Sequence, residues 1–331
     1  MSIGKLQALV CDHEELSAAL KAGADEICLK KTGKCFSEEE IEREIAGIHQ
    51  AKAKAVVQME LFAHNADLKE AERNLITLES LGADGVILAD PGVVSLAKEK
   101  TKNLQIQISA WMNNTNELTA QFWADYGASR IYLTQELSIP EMQNIAEHME
   151  GKLELGCLLW GPRCLSRSGR RLLKSYLGDQ AEGLRRKMLA EETRRGEYMP
   201  VYEDETGTYI FAEKETDRLS ELFALVQAGI SCFQVEGRGA AQVESRIRRC
   251  REMRSLSEKG WCTTCTGLFF CDNSFSPKLI KMEKGYCNLE NYRVCYKKRR
   301  GNPSYKYYER RCSKSFFGAF FVFKEKYKER E

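Results

Sequence analysis

A chain of 331 residues, 43% of them hydrophobic, has material for one large domain or two ordinary ones. Its net charge of +2 is unevenly spread: seventeen Lys or Arg and seven Asp or Glu fall in residues 259–331, a surplus of +10 that leaves −8 on the first 258. No apolar run approaches the ~18–20 residues that span a bilayer and no apolar leader opens the chain, so a soluble, cytoplasmic protein without membrane contact is expected and its thirteen cysteines read as thiols or ligands rather than disulfides.

Short apolar runs alternate with helical segments along the chain. Leu6–Val10 reads as the first strand, followed by a helix over 14–22 that Gly23 ends. Glu26–Leu29 is the second strand, and Ser37 caps a helix whose Glu38, Glu39 and Glu40 favour its N-terminal dipole. Ala55–Met59 precedes a helix over 68–81, and Gly85–Ala89 precedes a helix over 93–100 behind Pro91. Ile106–Ala110, a helix over 117–126, Arg130–Leu133, a helix from Pro140 to Met149, and Leu153–Leu159 continue the rhythm. Between about 160 and 215 it breaks into an insertion rich in Arg, Ser, Gly and aromatics, read as a polar lid. A helix over 219–228, the strand Cys232–Glu236 and a helix over 240–254 restore it.

Eight short buried strands alternating with helices imply parallel pairing. At a spacing of roughly 20–30 residues they fit a closed α/β (β/α)8 TIM-like barrel over 1–258, with an open doubly wound sheet as the alternative. The tail over 259–331 is irregular, basic, and rich in Cys and aromatics. Two readings of it stand side by side: a nucleic-acid contact through Lys297-Lys298-Arg299-Arg300 and its tyrosines, or a degenerate, disordered extension. Its Cys262-x-x-Cys265 pair is a modest metal signal without a second pair.

A barrel places its site at the C-terminal ends of the strands. That rule selects Glu60, His64, Asn65, Asp90, Trp111, Asn113, Asn116, Glu136, the stretch from Trp160 to Arg171, Glu236 and Arg238. From these, His64, Cys164 and Glu236 are the catalytic candidates, because nucleophilic catalysis needs a base beside the nucleophile. Asn113, Asn116, Glu136, Arg170, Arg171 and Arg238 are the substrate-binding candidates, since arginines and amides suit anionic or polar ligands. Helix capping and surface ion pairs are the competing roles for each.

Further short pieces carry a family likeness: Ala22-Gly23-Ala24-Asp25, His64-Asn65, Met112-Asn113 with Thr115-Asn116, Arg130, Glu136-Leu137-Ser138, Gly161 with Cys164, and Ser168-Gly169-Arg170. Gly196-Glu197-Tyr198, Gly207-Thr208-Tyr209-Ile210-Phe211 and Glu236-Gly237-Arg238 complete the series. In this order and spacing the chain resembles peptidase family U32, which includes collagenase-type peptidases and oxygen-independent hydroxylases. The resemblance implies a protease or hydrolase of unassigned catalytic type. It also implies the alternative of a hydroxylase-like enzyme on RNA or a metabolite, or of a non-catalytic partner subunit. The expected partners are a peptide, an RNA or a small anionic substrate, and a further copy or a related subunit.

The hydroxylase-like members hold a four-iron, four-sulfur cluster on four cysteines. Only Cys164 falls on one of those places; Arg171, Lys187 and Asp217 stand at or near the other three. One thiolate cannot hold such a cluster, so neither the cluster nor another metal is expected. The family's strand-seven pattern also carries Glu and His where this chain has Gly156 and Trp160.

Overall fold

The computed structural model describes residues 4–31, 37–178, 186–190, 192–193, 196, 198–204 and 206–258. Residues 2–254 form one compact unit. The tail over 259–331, with Cys262, Cys265 and the run Lys297–Arg300, lies outside the described residues.

Eight strands close into a ring: β1 (Lys5–Val10), β2 (Glu26–Lys30), β3 (Lys54–Met59), β4 (Gly85–Leu88), β5 (Gln105–Ile108), β6 (Arg130–Tyr132), β7 (Glu154–Gly161) and β13 (Cys232–Glu236). Each pairs in parallel with the next; β6 pairs with β7, and β13 joins β7 to β1. That closure decides for the (β/α)8 barrel against the open sheet. The helices that follow the strands are α1 (His13–Ala22), α2 (Glu38–Gln50), α3 (Leu68–Ser80), α4 (Pro91–Lys100), α5 (Glu117–Tyr126), α6 (Ile139–Met149), α8 (Leu222–Gln227) and α9 (Ala240–Glu258). No helix among the described residues is long and apolar enough to cross a membrane.

Local chemistry explains the helix boundaries. Asp12, Ser37, Asp90 and Asn116 accept backbone N–H groups of the first turns of α1, α2, α4 and α5, satisfying donors that have no intrahelical partner. Gly23, at φ 80°, ends α1 in the left-handed conformation. In α2, Ile41, Ile45 and Ile48 recur at helical spacing and are fully buried. The segment over 219–228, expected as one helix, begins as a 3-10 turn at Leu219–Glu221 before α8.

The barrel interior is layered. Near the N-terminal ends, Arg130 donates to Glu26 Oε1 and Oε2 at 2.9 and 2.6 Å, to Glu154 Oε2 at 2.6 Å, and to Gln107 Oε1 at 3.2 Å. Tyr132 Oη lies 2.9 Å from both Gln7 and Gln107 Oε1. A buried ion pair is tolerated only with its hydrogen bonds filled, and this one has them. Above it, Leu9, Cys28, Val56, Ile87, Tyr132 and Cys232 form an apolar layer. Gly156 belongs to that fit, because a Cβ there would sit 2.7 Å from the Tyr132 ring.

The insertion, expected as a polar lid, folds as a second sheet. Strands β8 (Cys164–Ser168), β9 (Arg186–Ala190), β10 (Tyr198–Asp204) and β11 (Gly207–Phe211) pair antiparallel in the order β8-β11-β10-β9. Helix α7 (Leu172–Leu177) lies between β8 and β9 in the chain. Gly207 has φ 139°, and a Cβ on it would fall 1.9 Å from the Ser168 carbonyl, so β11 can approach β8 only with glycine there. The chain then returns through β12 (Thr216–Asp217), which pairs antiparallel with β7.

Candidate functional site

Residues two apart on a strand share a face. Cys28, Val56 and Cys232 point into the barrel, so Lys30 and Gln58 follow the first two one step towards the C-terminal mouth, and Glu236 follows Cys232 two steps on, past Gln234. Cys11, Glu60, Ser109 and Thr134 extend β1, β3, β5 and β6 to the same end.

Lys30 Nζ donates to Glu236 Oε1 at 2.7 Å. Burial would push the lysine down, but the Glu236, Cys11 and Glu60 charges outweigh it and hold its ammonium above the ordinary lysine range. Lys30 is therefore a fixed cation at neutral pH. Ser109 Oγ donates to Glu60 Oε1, and its own carbonyl accepts Asn114 Nδ2 at 2.9 Å.

Arg167 enters from β8. Its Nη2 donates to the Glu60 carbonyl, and its Nη1 lies 3.8 Å from Glu60 Oε2. The guanidinium carbon sits 4.4 Å from the Phe62 ring centre and 5.3 Å from that of Tyr209, within cation–π range. The side chain is 6% exposed, yet Nε and Nη1 have no hydrogen-bond partner. Gln58 Oε1, Asn114 Oδ1 and Thr134 Oγ are also buried and unpartnered. Buried polar groups are rarely left so, and these five atoms all belong to residues at the mouth end of the barrel.

Of the catalytic candidates, Glu236 and Cys164 lie in this group. Cys164 Sγ is 3.4 Å from the Ser166 carbonyl and 3.5 Å from the Ile210 carbonyl. Burial pushes its thiol up to about 11, with Arg167 and Lys30 pulling the other way and Glu60 adding to the rise. His64 is exposed on the β3–α3 loop, where its amide donates to Asp67 at 2.9 Å. No hydrogen bond or ion pair joins His64 to Cys164 or Glu236 among the described residues.

The substrate-binding candidates are dispersed. Asn113 ends the 3-10 turn Ala110–Met112 at φ 56°, and Asn116 accepts the Thr119 N–H at 2.9 Å as the cap of α5. Glu136 and Arg170 are exposed. Arg171 faces Glu203 at 3.6 Å and Arg238 faces Glu215 at 3.3 Å. Sequence reasoning missed Lys30, Gln58, Ser109 and Thr134 as members of the mouth and gathered Arg167 only within the stretch Trp160 to Arg171; the signal that finds the strand residues is the period-2 alternation carried past each strand end.

The places that the resemblance would fill with thiolates do not suit a cluster. Arg171 and Lys187 are cations, and Asp217 accepts the Leu219 N–H at 3.1 Å. Among the described residues, no three His, Cys, Asp or Glu side chains are grouped to hold a metal ion.

Comparison with known proteins adds a family to this geometry. The chain is 27% identical to "tRNA hydroxylation protein P" of Escherichia coli (strain K12), over 66% of its own length and 59% of that protein's. It is 28% identical to "tRNA hydroxylation protein P2" of Bacillus subtilis (strain 168), over 67% and 73%. It is 31% identical to "Uncharacterized protease MJ0090" of Methanocaldococcus jannaschii, over 66% and 55%. The chain thus spans between about half and three quarters of the length of these relatives. The family model described as "Peptidase family U32" matches residues 11–259, most of the chain, and the chain belongs to that family.

Proposed function

We propose that this protein is an RNA-directed member of the U32 family whose barrel mouth receives an extruded base. Chemistry on a nucleobase requires taking it out of the stack. The mouth offers a guanidinium donor, Arg167, beside a carboxylate acceptor, Glu60, which complements the adjacent carbonyl and N–H of a pyrimidine edge. The buried, unpartnered N–H groups of Arg167 carry this reading. The names of the tRNA hydroxylation relatives support the substrate class.

In this reading the chain's own part is to bind and orient. Lys30, a permanent ammonium, supplies positive charge to an oxygen of the bound base. A redox step belongs to a related subunit, because this donor set lacks a thiolate quartet. Peptide hydrolysis, the activity in the family's name, needs an activated nucleophile. Cys164 instead contacts two carbonyls with a thiol pushed up to about 11.

Fluorescence anisotropy of an unmodified tRNA transcript tests the proposal at fixed salt. The wild-type chain is expected to bind, and Arg167→Gln to bind about ten-fold more weakly, or about 1.4 kcal/mol. Equal affinity of the two proteins, together with casein hydrolysis that Cys164→Ala abolishes, would favour the peptidase reading instead.

A further inference from the structure

The insertion is organised around one carboxylate. Glu203, on β10, has a side chain only 4% exposed. Its Oε2 accepts the Leu173 N–H at 2.6 Å and its Oε1 accepts the Lys174 N–H at 3.1 Å, so both oxygens hold the first turn of α7. Thr208 Oγ, on β11, accepts the Leu172 N–H at 2.9 Å and lies 2.8 Å from both Glu203 Oε2 and the Arg170 carbonyl, which share its single proton. Arg171 Nε completes the shell, 3.6 Å from Glu203 Oε1. One buried anion thus joins β10, β11, the end of the β8 segment and α7.

A buried carboxylate is costly unless its lone pairs are filled. Here two amides and a hydroxyl fill them, a guanidinium stands 3.6 Å away as a counter-charge, and the amides are groups that a short helix would otherwise leave unsatisfied. The guanidinium comes from position 171, one of the places where a thiolate would be needed to hold a cluster. Its partner Glu203 gives that cation a structural use.

We propose that Glu203, with Arg171, is a carboxylate clasp that closes the insertion and makes its fold independent of any metal. Removing the charge leaves one acceptor oxygen for the two α7 amides and loosens the segment over 172–177 while the barrel strands stay closed. Removing metal from the protein changes nothing there.

Hydrogen exchange followed by mass spectrometry on the full chain tests this. Wild type, Glu203→Gln and Arg171→Met are compared, and wild type is also measured after anaerobic treatment with an iron chelator. The expected result is exchange about ten-fold faster or more over 172–177 in Glu203→Gln, a smaller rise in Arg171→Met, and no change on chelation. Chelation that opens the same segment in the wild type would overturn the proposal, as would wild-type exchange in both variants. Should Glu203→Gln fail to fold, Arg171→Met and the chelator arm still decide. The outcome is independent of whether the mouth binds RNA.

Discussion

Lys30 Nζ lies 2.7 Å from Glu236 Oε1, linking two strands that both flank β1. Both side chains are mostly buried, at 24% and 18% exposure, so the pair is neither a surface bridge nor a fully dry one. Glu236→Gln leaves the ammonium short of its counter-charge. The expected cost is about 1–3 kcal/mol, between the values for exposed and buried pairs. Urea denaturation of both single variants and of Lys30→Met/Glu236→Gln checks it: the double variant should lose less than the sum of the two singles. Strict additivity would show that the pair contributes no coupling.

Arg130 holds the other end of the barrel. Arg130→Met takes from Glu26, which is 2% exposed, its two shortest ionic contacts and leaves the buried carboxylate with Lys5 at 3.6 Å and Gln7 Nε2 at 3.2 Å. A loss of about 3–5 kcal/mol is expected, measured by urea unfolding at pH 7. Restoring most of that loss with Arg130→Met/Glu26→Leu would identify the buried charge as its cause.

The same network sets an acid limit. Burial pushes Glu26 up, but the hydrogen bond and charge of Arg130, with Lys5 and Gln7, outweigh it and hold the carboxyl below its ordinary value of 4.5. A depressed carboxylate contributes stability that is full above the unfolded value and is lost as pH falls through the folded one. Wild-type stability should therefore decline below about pH 4.5. Glu26→Gln should show a shallower decline over the same window; an identical slope would remove Glu26 from the account.

Cys164 is expected to behave as an unreactive thiol. With its thiol pushed up to about 11, alkylation by iodoacetamide should keep rising with pH beyond 9 and show no plateau near neutrality. Mass mapping of the Cys164 peptide over a pH series reads this directly. A plateau below pH 7 would mark an activated nucleophile and revive the hydrolase reading.

Asn116 is a cap by geometry. Asn116→Ala should cost about 1 kcal/mol while Asn116→Asp costs little. Thermal unfolding of the two variants checks the first statement. A loss of RNA affinity in Asn116→Asp without a loss of stability would return Asn116 to the binding surface.

The barrel was legible because its strands are apolar runs punctuated by Gly and by capping residues such as Ser37 and Asp90, signals that act over a few residues. The mouth was only half legible. Choosing residues just past each strand found Glu60 and Glu236, but it also gathered Asn113, which ends the 3-10 turn, and Asn116, which caps α5. Lys30 falls just past the expected run Glu26–Leu29 but belongs to β2, where facing direction decides its role. The insertion's sheet stayed hidden because β8, Cys164-Leu165-Ser166-Arg167-Ser168, has no apolar face: Leu165 is 46% exposed while Arg167 is buried. Arg167 is buried by Phe62 and Tyr209, partners far from it in sequence and invisible to any local pattern.

The claim that an RNA base enters the mouth is tested most directly by photo-crosslinking. A tRNA transcript substituted with 4-thiouridine is irradiated with the full chain, and the crosslinked peptides are mapped by mass spectrometry. Crosslinks are expected on the peptides carrying Phe62 or Tyr209, and they are expected to be lost in Arg167→Gln. Crosslinks confined to residues after 258 would contradict it.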